Sequence, residues 1–272
     1  MGDVDYGKRP ERKEAAESAL ALRSDDPRAE LMRSGALPNY RPLTNTRGEI
    51  DGLKASFAKR FPQGSVQVLA GGEASETAFR TEAPRTAFVH LATHGFFAPA
   101  RLKSALAQQP SQTNLRSDAV VRQGVAGFHP GLLSGVVFAG ANGADPGDED
   151  DGVLTALEAS ALDLEGVQLA VLSACETGLG EAAGGEGVLG LQRAFQLAGV
   201  KTVVSSLWKV PDRATSQLIQ RFYANLWGRG LSGAEALREA QIWMLRGGDD
   251  QAERASVPPE DWAAFTLSGD WW

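Results

Sequence analysis

Cysteine is all but missing from this sequence: Cys175 stands alone among 272 residues. One thiol cannot close an intrachain disulfide or build a zinc site of several thiolates, so whatever Cys175 does, it does without a second cysteine. Histidine is nearly as scarce, with His90, His94 and His129. Positive charge is in the minority, 27 Lys and Arg against 34 Asp and Glu, a net charge of −7 with a pI near 5.1. That balance lacks the basic footprint a polyanion needs, so nucleic acid is not expected as a direct partner. No apolar run approaches the roughly 20 residues of a membrane span. The opening MGDVDYGKRPERKEAAE is charged where a signal peptide would be apolar. A cytoplasmic protein with no membrane partner is expected. The Met-Gly start fits a myristoylation frame only at Gly2, because Tyr6 stands where that motif prefers Ser or Thr.

What is present is length enough for one large α/β domain or two small ones. Residues 1–40 are rich in Arg, Glu, Asp and Ala with mostly small apolar residues. They read as a charged helical linker or the end of an upstream region, closed by the turn signals Pro38-Asn39 and Arg41-Pro42. Beyond them helices and strands alternate. TRGEIDGLKASFAKRF begins with a capping-box pair, Thr46 and Glu49, and carries Ile50, Leu53, Phe57 and Phe61 at helical spacing. SVQVLAG (65–71), TAFVHLAT (86–93), GLLSGVVFAG (131–140), VQLAVLSA (167–174) and KTVVSSLW (201–208) read as strands. The helical segments include ASETAFRTEA, TALEASALDL with a Thr155–Glu158 capping box, and GVLGLQRAFQLAG ending at Gly199. They continue with DRATSQLIQRFYANLW, with Asp212 as N-cap, and SGAEALREAQIWML, with a Ser232–Glu235 box. WAAFTLSG reads as a last strand. Strand–helix alternation of this kind predicts right-handed crossovers on a parallel sheet. The irregular stretch 98–130 suggests a mobile loop near a site.

In such a sheet ligands gather at the carboxyl ends of strands. Two reactive side chains stand there: His94, followed by Gly95, and Cys175, followed by Glu176, Thr177 and Gly178. A lone cysteine after an apolar strand is ordinarily inert core, and a lone histidine is ordinarily structural. Two of them at strand ends of one sheet, each beside a glycine turn, point instead to an imidazole activating a thiol. His90 lies on the strand and reads as a buried histidine bonded to backbone, or as a supporting partner of His94. His129, in GFHPG, is a turn residue. Asp145, Asp148, Glu149, Asp150 and Asp151 form an acidic stretch whose alignment to a calcium loop puts Gly147 at the first ligand position. It reads as a solvated loop before a helix N-terminus, or as a source of one acid for a substrate pocket. GLGEAAGGEGVLG has no lysine and no Gly-Lys-Ser/Thr ending, so it is no phosphate loop. No metal or cofactor is expected.

HLATHGFF (90–97), DGVLTALE (151–158), LSACETGLG (172–180), GEGVLGLQRAFQLAGVKTVVSSLWKVPD (185–212) and WAAFTLSG (262–269) together, in this order and spacing, resemble the CHAT family of caspase-like cysteine peptidases. The resemblance runs from about residue 41 to 272. It implies an α/β fold, a caspase-like three-layer α/β/α sandwich with a mostly parallel central sheet. It places the family's catalytic histidine on His94 and its cysteine on Cys175, with the backbone amides of Gly95 and Cys175 holding the oxyanion. His94 then acts as general base and acid, with protonation of the leaving amine as its main task. Relatives build the pocket for the residue before the scissile bond from the position of Ser173 and the loop after the next strand, here Ser205, Ser206, Trp208 and Asp212. Asp151 or Asp212 would supply charge toward a basic residue.

The implied activity is cleavage of a protein or peptide substrate. An activating sensor, such as a tetratricopeptide-repeat region or a separate protein, would regulate it. No such repeat is visible in residues 1–40, so the chain is expected to be a fragment of a larger protein or to use a separate sensor. A scaffold module that signals by docking, and self-processing within the loops, are the competing functions; an intact His94 and Cys175 argue against the first of these.

Overall fold

The computed structural model describes residues 1–8, 39–97, 129–143, 150–173, 186–248 and 257–270. Elements are numbered in chain order. Helices α1 (Thr46–Arg60) and α2 (Glu76–Glu82) precede strand β1 (Phe88–Leu91) and the short β2 (Gly95–Phe97). Strands β3 (Ser134–Val137) and β4 (Val153–Thr155) lead into the one-turn helix α3 (Ala156–Ala159). Then come β5 (Leu169–Leu172), α4 (Glu186–Leu197), β6 (Thr202–Ser206), α5 (Asp212–Tyr223), α6 (Gly233–Leu245) and β7 (Phe265–Gly269).

The apolar runs TAFVHLAT, VQLAVLSA and KTVVSSLW become three neighbouring parallel strands in a four-stranded sheet ordered β1-β5-β6-β7, with β7 antiparallel to β6. Strand β5 is buried along its whole length, as a central parallel strand should be. Its side chains alternate between two cores. Ala170 and Leu172 meet Phe79 of α2, Ala156 and Ala159 of α3, and Leu191, Ala194 and Phe195 of α4. Leu169 and Val171 face Leu53 of α1, Leu218, Ile219 and Phe222 of α5, and Leu237 and Ala240 of α6. The fold is therefore α/β, with a mixed, mostly parallel sheet and helices against both faces.

Some local expectations change. GLLSGVVFAG does not join the parallel sheet: β3 pairs antiparallel with β2 and β4 in a separate three-stranded sheet. SVQVLAG forms no strand beyond a single bridge at Gly71, and Val66 and Val68 are exposed. The ladder partner of its end is the chain's own start. Gly2 bridges Ala92 and Val4 bridges Gly71, both in parallel sense, and Gly71 N–H donates to Asp3 O at 2.7 Å. The expected domain start lies near residue 41, yet residues 1–8 upstream of it are packed into the fold: Val4 and Tyr6 are buried with Tyr40, Phe96 and Val153 in a third core.

Two of the three expected capping boxes form, at Thr155–Glu158 and Ser232–Glu235. The third does not. Asn45 takes the N-cap of α1, Thr46 Oγ1 donates to Leu43 O, and the Glu49 side chain turns inward. The N-cap of α5 is Pro211 rather than Asp212, whose carboxylate is used elsewhere. The helical turn after α5 widens into a π-type turn over Ala224–Gly228.

Gly199 ends α4 at φ +105, and a Cβ there would meet Glu165 N at 2.7 Å and Cα at 2.8 Å. Both the positive φ and the contact with backbone act against a side chain. Gly199→Ala is expected to destabilise the protein by roughly 1–3 kcal/mol, read as a lower urea midpoint at unchanged slope; an unchanged midpoint would contradict this geometry.

Candidate active site

Strand β1 ends at Leu91 and the chain passes through Ala92 and Thr93 to His94 before β2 begins at Gly95. His94 is 1% exposed and is held by three hydrogen bonds and two ring contacts. Its ring Nε2 lies 2.7 Å from Arg41 O, its N–H donates to Tyr6 Oη at 3.3 Å, and its carbonyl accepts from Val137 N–H at 2.8 Å. The rings of Tyr6 and Tyr40 lie 5.0 and 5.4 Å from its own. Tyr40 is itself clamped by Asn142, whose amide bonds both its N–H and its C=O at 2.8 Å. Thr93 Oγ1 donates to Val137 O, which leaves its lone pairs to accept from Tyr6 Oη at 3.0 Å. A carbonyl oxygen can only accept, so Nε2 carries a proton. The neutral ring then has its basic lone pair on Nδ1.

On the neighbouring strand Leu172 is paired with Leu91. In sequence, His94 follows Leu91 by as many positions as Cys175 follows Leu172. Cys175 itself lies outside the described residues, as do 98–128 of the expected loop and the glycine-rich segment up to residue 185. Gly95 opens β2 and is paired with Val136.

Ser173 closes β5: its N–H donates to Leu91 O at 2.9 Å, and its Oγ donates to Glu49 Oε1 at 2.5 Å. Because Leu172 pairs with Ser205, Ser206 stands beside Ser173 at the end of β6. Ser206 Oγ donates to Trp208 O at 3.0 Å, and the half-exposed Trp208 is anchored by Nε1 to Glu260 O at 2.9 Å. The structure thus gathers His94, Gly95, Ser173, Ser206 and Trp208 at the carboxyl ends of β1, β5 and β6.

Asp212 and Asp151 are engaged elsewhere. Asp212 Oδ2 accepts from Asn45 N at 2.8 Å, Asn45 Nδ2 at 3.0 Å and Thr44 Oγ1 at 3.4 Å, tying the start of α1 to the start of α5. Asp151 is fully buried beside β4, with Oδ1 accepting from Val153 N–H at 2.9 Å.

Sequence reasoning passed over Glu49, Tyr6, Tyr40 and the Arg41 carbonyl. Glu49 is 1% exposed and bonds His90 Nε2 at 2.8 Å, while Tyr223 Oη reaches His90 Nδ1 at 3.4 Å. The ring of His90 therefore binds side chains and not backbone. Burial, with the Glu49 charge adding to it, holds the Tyr223 hydroxyl well above its ordinary pKa. His129 is a turn residue, with Nδ1 accepting from Gly131 N–H at 3.1 Å.

Asp151 contributes to a second feature away from the strand ends. Glu76, fully buried, accepts from Arg80 Nε at 2.8 Å and Nη2 at 2.5 Å, and Arg80 also approaches Glu158 at 3.4 Å. Burial raises the Glu76 carboxyl to about 8, Arg80 opposes that rise, and Glu158 and Asp151 add to it. Between its ordinary value and about 8 the folded chain holds a proton that the unfolded chain has released, so stability falls as pH rises across that window. The thermal midpoint is expected to drop from pH 5 to pH 8, and Glu76→Gln to flatten that drop; an equally steep profile in the variant would contradict it. Among the described residues no group of His, Cys, Asp and Glu side chains is arranged to hold a metal ion, and no helix is long and apolar enough to cross a membrane.

Comparison with known proteins identifies a family for the chain. The CHAT domain family matches residues 7–270. Mouse (Mus musculus) tetratricopeptide repeat protein 28 is 36% identical over 112 residues, 41% of this chain and 4% of that protein. Its human (Homo sapiens) counterpart is 39% identical over 84 residues, 31% of this chain and 3% of that protein. The aligned part is a small fraction of each relative's length. With a match from residue 7 to residue 270, the chain belongs to the CHAT domain family, which is related to caspase-like cysteine peptidases.

Proposed function

We propose that the chain is a cysteine endopeptidase that cuts protein substrates through Cys175 and His94, within a caspase-like three-layer sandwich. The observation that carries this reading is the fixed tautomer of His94: a buried imidazole whose Nε2–H is spent on Arg41 O offers Nδ1 as its base, at the carboxyl end of β1 beside the end of β5, the strand that precedes Cys175 in sequence.

Nδ1 takes the thiol proton, and the thiolate attacks the scissile carbonyl carbon. The backbone N–H groups of Gly95 and Cys175 hold the oxyanion that forms. The tetrahedral intermediate collapses as Nδ1–H gives its proton to the departing amine, leaving a thioester. Water then attacks the thioester, giving a proton to Nδ1, and the released thiolate recovers it as the acid product leaves. An unperturbed thiol has a pKa near 8.5, with only a few per cent thiolate at neutral pH, so this imidazole supplies the activation.

Ser173, Ser206 and Trp208 form the substrate-binding rim, with Asp151 and Asp212 acting behind it through the segments they anchor. The likeness to two proteins named for tetratricopeptide repeats supports a repeat-containing region or partner as the regulator. Incubating the chain with a peptide library, with and without such a region, tests the reading. Cuts that vanish in Cys175→Ala are expected; a chain that cuts nothing in any combination favours the docking module.

A further inference from the structure

Among the described residues β1 is the edge of its sheet, and the outer side of an edge strand is a template for another strand. Its inner side belongs to β5: Ala87 O accepts from Gln168 N–H at 2.8 Å and Leu91 O from Ser173 N–H at 2.9 Å. Backbone groups alternate in direction along a strand, so Phe88 and His90 turn theirs outward. The first residues of the chain lie along the far end of that outer side. Met1 N donates to His90 O at 2.7 Å, and Ala92 N–H donates to Met1 O at 2.8 Å. Their other flank is held by residues 69–71, with Gly2 N–H donating to Leu69 O at 3.3 Å and Gly71 N–H to Asp3 O at 2.7 Å. Both bridges, Gly2 with Ala92 and Val4 with Gly71, run parallel. Residues 1–4 therefore lie between two walls, and closely: a Cβ on Gly2 would meet Ile50 Cδ1 at 2.5 Å.

Beyond Met1 the same two walls enclose a cavity of about 80 Å³. Phe88 and His90 line one wall, Gln67 and Leu69 the other, and Met1 closes the end. Phe79 and Ala83, both buried, give it an apolar floor. Of the lining side chains Glu82 alone is acidic, and Arg85 approaches it at 3.7 Å. Extending the register of Gly2 with Ala92 sets the next positions beside His90, Val89 and Phe88 in turn. Met1, Leu91 and Val89 all pack on the core that holds Phe79 and Ala83, so by the period of two a residue beside Val89 faces that core as well. Burial pushes the Met1 amine down to about 6 despite the attraction of Glu49. A carboxylate brought to that closed end would accept its hydrogen bond and favour its protonated form.

We propose that this slot docks the extended carboxyl-terminal tail of a partner protein, laid parallel to β1. The last residue of the tail lies beside His90 with its carboxylate against the Met1 amine, and an apolar penultimate residue lies over Phe79 and Ala83. Strand addition supplies main-chain hydrogen bonds, and the inward side chain supplies selectivity. The docking site stands independently of the peptidase reading.

The probe is the peptide acetyl-Thr-Val-Thr-Leu-Thr with a free carboxylate, titrated into the 272-residue chain by calorimetry. It is expected to bind at least about tenfold more tightly than its carboxamide, and at least about tenfold more tightly than the peptide with aspartate in place of leucine. At saturation, hydrogen exchange at the Phe88 and His90 amides is expected to slow about tenfold or more. The same five residues fused directly ahead of Met1 are expected to abolish binding of the free peptide.

A free acid that binds no better than the carboxamide and the aspartate peptide, or that leaves both amides exchanging as before, overturns the site. A fused segment that protects Phe88 and His90 where the free peptide does not bind gives the slot to a preceding stretch of the same polypeptide and overturns the partner's tail. Protection that rises with protein concentration alone gives it to a second copy and overturns the proposal in the same way.

Discussion

Replacing His94 by glutamine is expected to lower kcat/KM for peptide cleavage by roughly 10²–10⁴-fold, the usual worth of a positioned acid–base group. The amide can still donate to Arg41 O in place of Nε2, so the aromatic box of Tyr6 and Tyr40 need not collapse. It has no basic nitrogen to take the thiol proton or to protonate the leaving amine. Near-ultraviolet circular dichroism shows whether the box is retained. A folded His94→Gln protein that keeps more than about a tenth of wild-type kcat/KM would remove His94 from the chemistry.

Phe195→Ala is expected to carry the largest effect on stability. The ring is fully buried on α4, in the core shared by α2, α3 and the sheet, with the Phe79 ring 6.3 Å away and Phe79 stacked in turn on Phe138 at 5.4 Å. Truncation removes its transfer free energy and leaves a cavity in the core that holds Leu172 and Val203, which the strand ladder fixes in place. A cost of about 3–5 kcal/mol follows, measured by urea unfolding with the slope unchanged. A loss below about 1 kcal/mol would mean that this core repacks freely.

Where a signal is complete within a short stretch, the sequence was legible. The runs around Val171 and Val204 read as buried parallel strands and are buried along their whole length, whereas the similar run around Val89 becomes β1, at the end of the strand order with Phe88 and His90 half-buried. Thr155–Glu158 and Ser232–Glu235 formed their boxes because both partners lie within one turn. The same spacing misled at Thr46–Glu49. There a buried histidine and serine on distant strands compete for the carboxylate and win it from the helix end.

Val66 and Val68 have strand-like composition, but among the described residues no strand pairs with them, and they are exposed and irregular. The pattern of GLLSGVVFAG shows that β3 is buried and says nothing about which way its neighbours run. His94 was found because it follows a strand and precedes a glycine. Its restraints were hidden, since Tyr6 lies 88 residues away and Arg41 contributes only a backbone carbonyl, whose identity leaves no mark in the sequence.

The account stands or falls on whether a thiol at position 175 cuts peptide bonds. The direct measurement is mass spectrometry of a proteome-derived peptide library after incubation with wild type and with Cys175→Ala, each alone and with a tetratricopeptide-repeat partner. New termini that appear with wild type and are absent with Cys175→Ala are the predicted result. Identical termini with both proteins, or none with either in the presence of the partner, would contradict it.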